Sequence, residues 1–315
     1  MIPKFFVFFF IMSFLKFENI IQKKNLFNYS NNNISGGVSE NKPFLIIQIN
    51  YTTDNLFTYY NHYLGCILNA ITMNFIPIFD LRSYPSIFNN FSKVKLKRNP
   101  YEDYFDQPFN LTLKEILKSK NYRKFNCHKH ENFFLGDKII NNKDSLDFWR
   151  VLAKKYMPIK EEIIKKALSI KNKLFNSSNN ILGILPRGVD FLDNITRNYI
   201  QPDIDLIFKD IKKFDIQNNY DYFFLVTDDN TIRLKFKNEF GSKLKYFFNY
   251  NLDDNNHHFN ENLNRRMKTY LVNIIILTKC LDVIMSMSNG AIGSFILSKG
   301  FRNKIVYNFG FYRGL

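Results

Sequence analysis

The stretch 181-ILGILPRGVDF-191 decides how this chain is read. Ile181 to Leu185 is an unbroken apolar run, the pattern of a strand covered on both faces of a parallel sheet. It stops at Pro186 and then presents Arg187, Gly188 and Asp190 within four residues. An arginine at a strand end offers a planar, permanently charged fork suited to phosphate oxygens, and Gly188 leaves room for close backbone approach. Turns also use Gly and Asp, so Arg-Gly-x-Asp alone is equally an ordinary turn. Its weight comes from what the rest of the chain places beside it.

Downstream, short apolar runs alternate with amphipathic stretches. DIDLIFKDIKKF (203–214) has helical spacing, with Asp203 near its positive end. YDYFFLVTDD (220–229) is predicted as a strand ending in two carboxylates, and NTIRLKFKNEFG (230–241) as a helix closed by Gly241. KLKYFF (243–248) reads as a short strand and NRRMKTYLVNIIILTKCL (264–281) as a long helix. DVIMSMSNGAIGSFILSKG (282–300) reads as strand, turn and helix, and KIVYNFG (304–310) as a last strand.

Upstream, FLIIQIN (44–50), LFTYYNHYLGCILNAITMNF (56–75) and IPIFDL (76–81) form a strand, a helix and a strand, the pattern of a βαβ unit. Residues 82–143 mix turns, basic residues and aromatics and are expected to be loops and short helices. Residues 145–175 are helical, broken near Met157-Pro158. The polar NSSNN (176–180) places a boundary between Lys171 and Asn180. The expected domains are therefore 43–175 and 176–315, preceded by an apolar segment and polar linker over 1–42. Two doubly wound α/β domains without a GxGxxG fingerprint suggest one architecture, GT-B-like: two Rossmann-like domains facing a cleft.

In open α/β sheets, ligands bind outside the carboxyl ends of the strands. Three polar clusters fall there in the second half: Arg187-Gly188-Val189-Asp190, Thr227-Asp228-Asp229 and Ser286-Met287-Ser288-Asn289-Gly290. Asp190 could orient Arg187 or accept from a ligand hydroxyl. Ser288 and Asn289 precede a helix, whose first N–H groups bind phosphate well. Together the clusters describe a nucleoside-diphosphate pocket. The plainer reading makes Asp228-Asp229 and Ser288-Asn289 helix caps.

The 315 residues are 45% hydrophobic and 17% aromatic, which supplies a sizeable core and excludes whole-chain disorder. Lys+Arg exceed Asp+Glu by 44 to 28, for a net charge of +16. That suits an anionic partner such as nucleic acid, an anionic membrane or a phosphate-bearing substrate. An AT-rich coding habit gives the same excess. Cys66, Cys127 and Cys280 are too few and too scattered for a disulfide framework. Cys127-His128-Lys129-His130 lacks a fourth ligand and a partner pair, so no metal is expected. Sequons such as those at Asn28, Asn110 and Asn194 are unremarkable in so Asn-rich a chain. Phe5–Leu15 is too short to span a bilayer. It reads as a peripheral membrane contact or an uncleaved signal segment, and the protein as cytoplasmic or membrane-associated.

The motifs also resemble a known family, the GT-B fucosyltransferases related to the alpha-1,6-fucosyltransferases and the nodulation fucosyltransferase. The stretches that carry the resemblance are 181–202, YFFLVTDDNTIRLKFKNEFGSKLKY (222–246), YLVNIIILTKCLDVIMSMSNGAIGSFIL (270–297), LFTYYNHYLGCILNAITMNFIPIFDL (56–81) and YEDYFDQP (101–108). They keep the family's order across roughly 44–315. The resemblance implies a nucleotide-sugar donor, GDP-fucose first, a glycan acceptor, inversion, and no metal or other cofactor. It makes 43–175 the acceptor side and 176–315 the donor side. It assigns Arg187 to the donor pyrophosphate, with Asp190 in the same loop. Asp228 and Asp229 fall near the nucleoside and Ser288 and Asn289 on the phosphate side, while Tyr104, Phe105 and Gln107 line the cleft. The base is open among Asp54, Glu102, Asp103 and Asp190.

The chain departs from the family at Leu185, where the family has a histidine two residues before the arginine. A degenerate sugar-nucleotide or glycan binder is therefore one alternative reading. A basic nucleic-acid-binding protein is another, disfavoured because the lysines are scattered and no RNA-binding aromatic motif occurs.

Overall fold

β1 (Phe44–Ile49) is apolar but for Gln48 because both faces of its sheet are covered. Leu45 and Ile47 pack with α1 (Leu56–Thr72), whereas Phe44 and Ile46 pack with Leu113 and Ile116 of α2 (Leu113–Ser119). β2 (Ile76–Phe79) and β3 (Tyr122–Cys127) flank β1, all parallel, in the order β2-β1-β3. This computed structural model describes residues 43–49, 56–82, 96–119, 121–127, 138–187, 201–248 and 259–309. The segment 1–42, Asp54, His128, His130, Gly188 and Asp190 lie outside the described residues, as do the sequons at Asn28 and Asn194.

β3 is the one element that the sequence reading missed, since 82–143 was expected to hold only loops and short helices. Its sequence, YRKFNC, hides the strand: Arg123, Lys124 and Asn126 are exposed, and Tyr122 and Phe125 are half-buried. An edge strand with little to bury carries charge rather than an apolar run. The other edge, β2, is closed by a side chain. Gln107 accepts from the Phe79 N–H at 3.0 Å and donates to the Phe79 carbonyl at 2.8 Å, as a neighbouring strand would.

After α3 (Lys138–Asn141), helices α4 (Lys143–Tyr156) and α5 (Glu161–Leu174) are separated at Met157-Pro158, as expected. There Ile159 bridges to Phe105 and the Pro158 carbonyl accepts from Asp106 N–H at 2.9 Å.

The second sheet runs β4 (Ile181–Leu185), α6 (Ile204–Asn218), β5 (Tyr222–Leu225), α7 (Asn230–Phe240), β6 (Leu244–Lys245), α8 (Phe259–Leu277), β7 (Asp282–Ser286), α9 (Asn289–Leu297) and β8 (Lys304–Tyr307). All five strands are parallel in the order β6-β5-β4-β7-β8. The chain winds outward from β4 through β5 and β6, then returns to β7 on the other side of β4. The sheet is therefore doubly wound with its switch point between β4 and β7. Leu182 and Ile184 pack with α6 and α7 on one face. Ile181 and Leu185 share the opposite face with α8 and α9.

That second face belongs to one apolar cluster that also contains α1, α4 and α5. Every residue from Gly290 to Ile296 is buried, so α9 is covered on all sides. A Cβ atom at Gly293 would overlap the Phe57 ring of α1, and only glycine allows that approach. At its far end, Arg150 Nε of α4 donates to the Phe295 carbonyl at 3.2 Å. A cation there complements the helix dipole.

The amino ends of the strands are tied by charge. Asp282 opens β7 with no exposure and accepts from Tyr220, Arg302 and, at 2.7 Å, the Asn303 N–H. Burial alone would raise its carboxyl, but the hydrogen bonds from Arg302, Tyr220 and Asn303 outweigh this and hold it below the ordinary carboxylate range. The carboxyl ends of the strands are thus left for other work.

Candidate functional site

β4 lies between β5 and β7, so the three polar clusters predicted at strand ends do come from neighbouring strands. Arg187 stands two residues beyond Leu185, half-buried, after a buried Pro186. Asp228 is exposed in the turn after β5, and Asp229 follows it. Ser288 and Asn289 begin α9 directly after β7.

Two of these residues are helix caps. The Asp229 carboxylate accepts from Ile232 N–H at 3.0 Å and caps α7. Ser288 Oγ accepts from Ala291 N–H at 3.1 Å and caps α9. Among the described residues, this leaves the N–H groups of Asn289 and Gly290 as the unclaimed donors of the first turn. The Asn289 side chain faces α1. Its Nδ2 donates to Thr58 Oγ1 at 2.9 Å, and its Oδ1 accepts from Asn61 Nδ2 at 3.0 Å. What Asn289 can offer a ligand is therefore its backbone rather than its amide.

The residue that joins the clusters is Tyr270 of α8. Its hydroxyl rests on Gly290, where any side chain would overlap it. Its ring meets Phe57 edge-on at 5.7 Å between centroids. Burial raises the Tyr270 pKa first, the Asp228 carboxylate raises it further, and Arg187 opposes both. Both charges therefore reach this hydroxyl, which stays protonated at neutral pH. Sequence reasoning passed over Tyr270 because it opens an apolar helical run in a chain with 18 tyrosines. Ser286 Oγ, at the carboxyl end of β7, is buried with no hydrogen-bond partner among the described residues.

The segment expected to line a cleft is buried instead. Tyr104, Phe105 and Gln107 are 0%, 2% and 2% exposed, and Gln107 is committed to β2. Of the carboxylates considered as a base, Glu102 accepts through Oε1 from Gln107 at 3.2 Å, from Leu113 N–H at 3.3 Å and from Asn99 at 3.4 Å. It serves the fold. Asp103 pairs with Arg98 at 2.7 Å, and burial raises its pKa despite Arg98, Lys268 and Lys160. Among the described residues, no three His, Cys, Asp or Glu side chains gather as a metal site. No described helix is long and apolar enough to cross a membrane.

No protein-family model and no curated protein sequence matches the chain. Among solved structures it is similar to several fucosyltransferases. It is similar to NodZ alpha-1,6-fucosyltransferase soaked with GDP-fucose at 11% identity and a TM-score of 0.48, covering 82% of this chain and 93% of that one. Against fucosyltransferase NodZ from Bradyrhizobium the values are 11%, 0.45, 81% and 92%. Against POFUT1 in complex with GDP-fucose they are 7%, 0.48, 84% and 98%.

Proposed function

We propose that the chain is a glycosyltransferase that binds a nucleoside-diphosphate sugar at the carboxyl edge of its second sheet. The donor is GDP-fucose, the acceptor a glycan hydroxyl, and transfer inverts the anomeric carbon without a metal. The observation that carries the reading is the adjacency of β4, β5 and β7, which brings Arg187, Asp228 and the start of α9 to one edge of the sheet, with Tyr270 against Gly290. A cation, a carboxylate and orphan N–H donors there match a diphosphate, ribose hydroxyls and phosphate oxygens in turn. The choice of fucose and inversion rests on the ordered sequence motifs.

In the transfer, the acceptor oxygen bonds to the anomeric carbon from the face opposite the diphosphate. The bond from sugar to diphosphate breaks, and its electron pair leaves on the diphosphate. Arg187 meets the charge that develops there. The acceptor proton passes to a base.

The test is thermal unfolding of the full chain with GDP, GDP-fucose, UDP and a UDP-sugar, for wild type and Arg187→Ala. A ligand at a hundred times its dissociation constant adds about 2.7 kcal/mol, a shift of a few degrees. The shift is expected with the GDP species and is lost in Arg187→Ala. No shift with any nucleotide overturns the reading.

A second reading is favoured by Leu185, which is 5% exposed and belongs to the apolar cluster where the family carries a histidine. In that reading the protein binds the donor without turning it over. GDP-fucose binding without fucose transfer or donor hydrolysis would select it.

A further inference from the structure

We propose that the Tyr270 hydroxyl is itself a ligand of the donor diphosphate, a neutral O–H donor set between Arg187 and the first turn of α9. The inference rests on the donor-site reading above and assigns that site a residue the sequence motifs do not supply.

Four observations carry it. The hydroxyl sits against Gly290, at the point where α9 presents its orphan N–H groups, and Ser288 Oγ lies 3.7 Å from where a Gly290 side chain would begin. Among the described residues, no group hydrogen-bonds to this hydroxyl. Tyr270 is half-buried, so its hydroxyl is as open to a ligand oxygen as it is to water. The ring is held in place by Phe57, itself fixed against Gly293, so the hydroxyl direction is set by packing. Finally, Asn273 lies one turn further along the same face of α8. It is the one polar residue in the buried run Leu271–Leu277, and its Oδ1 has no partner among the described residues.

The chemistry suits a leaving diphosphate. A protonated phenol donates to a phosphate oxygen without adding charge to the site, and the hydrogen bond strengthens as the oxygen gains charge. Arg187 supplies the charge.

The test compares Tyr270→Phe with wild type in titrations with GDP, GMP and inorganic pyrophosphate, alongside unfolding without ligand. The expected result is an unfolding midpoint within about a degree of wild type, since an idle hydroxyl contributes little to the fold. The dissociation constant for GDP rises about 5- to 10-fold, the scale of one neutral hydrogen bond. The loss repeats with pyrophosphate and shrinks with GMP. Gly290→Ala, which displaces the hydroxyl, should weaken GDP binding similarly. Tyr270→Phe/Gly290→Ala should then bind no worse than Gly290→Ala alone. Equal GDP affinity in wild type and Tyr270→Phe overturns the inference and leaves the donor site standing. A lower midpoint with unchanged affinity also overturns it, by making Tyr270 a packing residue. Failure of wild type to bind any of the three removes the donor site and this inference together.

Discussion

Asn61 of α1 donates from Nδ2 to Oδ1 of Asn289 at the start of α9, 3.0 Å away and 228 residues along the chain. Asn61 has no exposure, and Asn289 returns a bond to Thr58 one turn earlier on α1. The pair fixes the start of α9 against the helix between β1 and β2. Asn61→Ala leaves a polar group of Asn289 buried and unpaired, and is expected to cost about 1–3 kcal/mol. In urea unfolding, Asn61→Ala with Asn289→Ala should give a coupling energy near 1 kcal/mol. A coupling of zero would mean the contact contributes nothing.

Arg187→Ala should weaken GDP binding about 10- to 100-fold, the range of a charge-assisted hydrogen bond of about 1.5–3 kcal/mol. Arg187→Lys keeps the charge but not the fork, and should recover only part of the affinity. Full recovery by lysine would argue for simple charge neutralisation.

Acid should unfold the protein partly through Asp282 and Asp80. Both are buried carboxyls, and burial raises each, but hydrogen bonds hold both below the ordinary value, from Arg302 and Tyr220 on Asp282 and from Arg82 on Asp80. A depressed folded pKa contributes stability that is present above the unfolded value, about 3.9, and is lost as pH falls through the folded one. Stability measured from pH 6 downward should therefore drop below about pH 4. Asp282→Asn should lower stability at neutral pH by about 1–3 kcal/mol, because Tyr220 and the half-exposed Arg302 lose a charged acceptor. It should also flatten the acid limb, and an unchanged limb would remove Asp282 from the account.

Gln107→Leu tests the sealed edge of β2. It preserves volume but strips the partner from the Phe79 N–H and frees a contact of Glu102, while the Phe79 carbonyl keeps Asn99 Nδ2 at 2.7 Å. A loss of about 1–3 kcal/mol is expected, from one buried donor left unsatisfied. Denaturant midpoints read this directly. A loss below about 0.5 kcal/mol, the range of ordinary surface changes, would mean water replaces the amide.

The strands and helices that bury large apolar surfaces were legible in the sequence. β1, β4 and β7 read as continuous runs, and α4 and α5 as a pair broken at Pro158. β3 was not legible, because it is an edge whose exposed residues are Arg, Lys and Asn. Of the site, the strand-end positions of Arg187 and Asp228 could be read from where apolar runs stop. The capping roles of Asp229 and Ser288 followed from helix-start chemistry. Thr58 and Asn61 were hidden because they lie in a different part of the sequence from the residues they bind. Tyr270 was hidden because its role depends on a glycine 20 positions later. Local pattern carries such pairings poorly, since they exist only once two helices have packed.

That distance also sets a timetable during synthesis. Phe57 and Asn61 leave the ribosome long before Asn289 and Gly293, the residues that cover them. At about 5–20 residues per second, the 228 positions between Asn61 and Asn289 take roughly 10–50 s to translate. Throughout that interval the nascent chain carries α1 with one aromatic face bare. The protein is therefore expected to depend on holdase chaperones while it is made, and to suffer most from truncations that remove α9 alone.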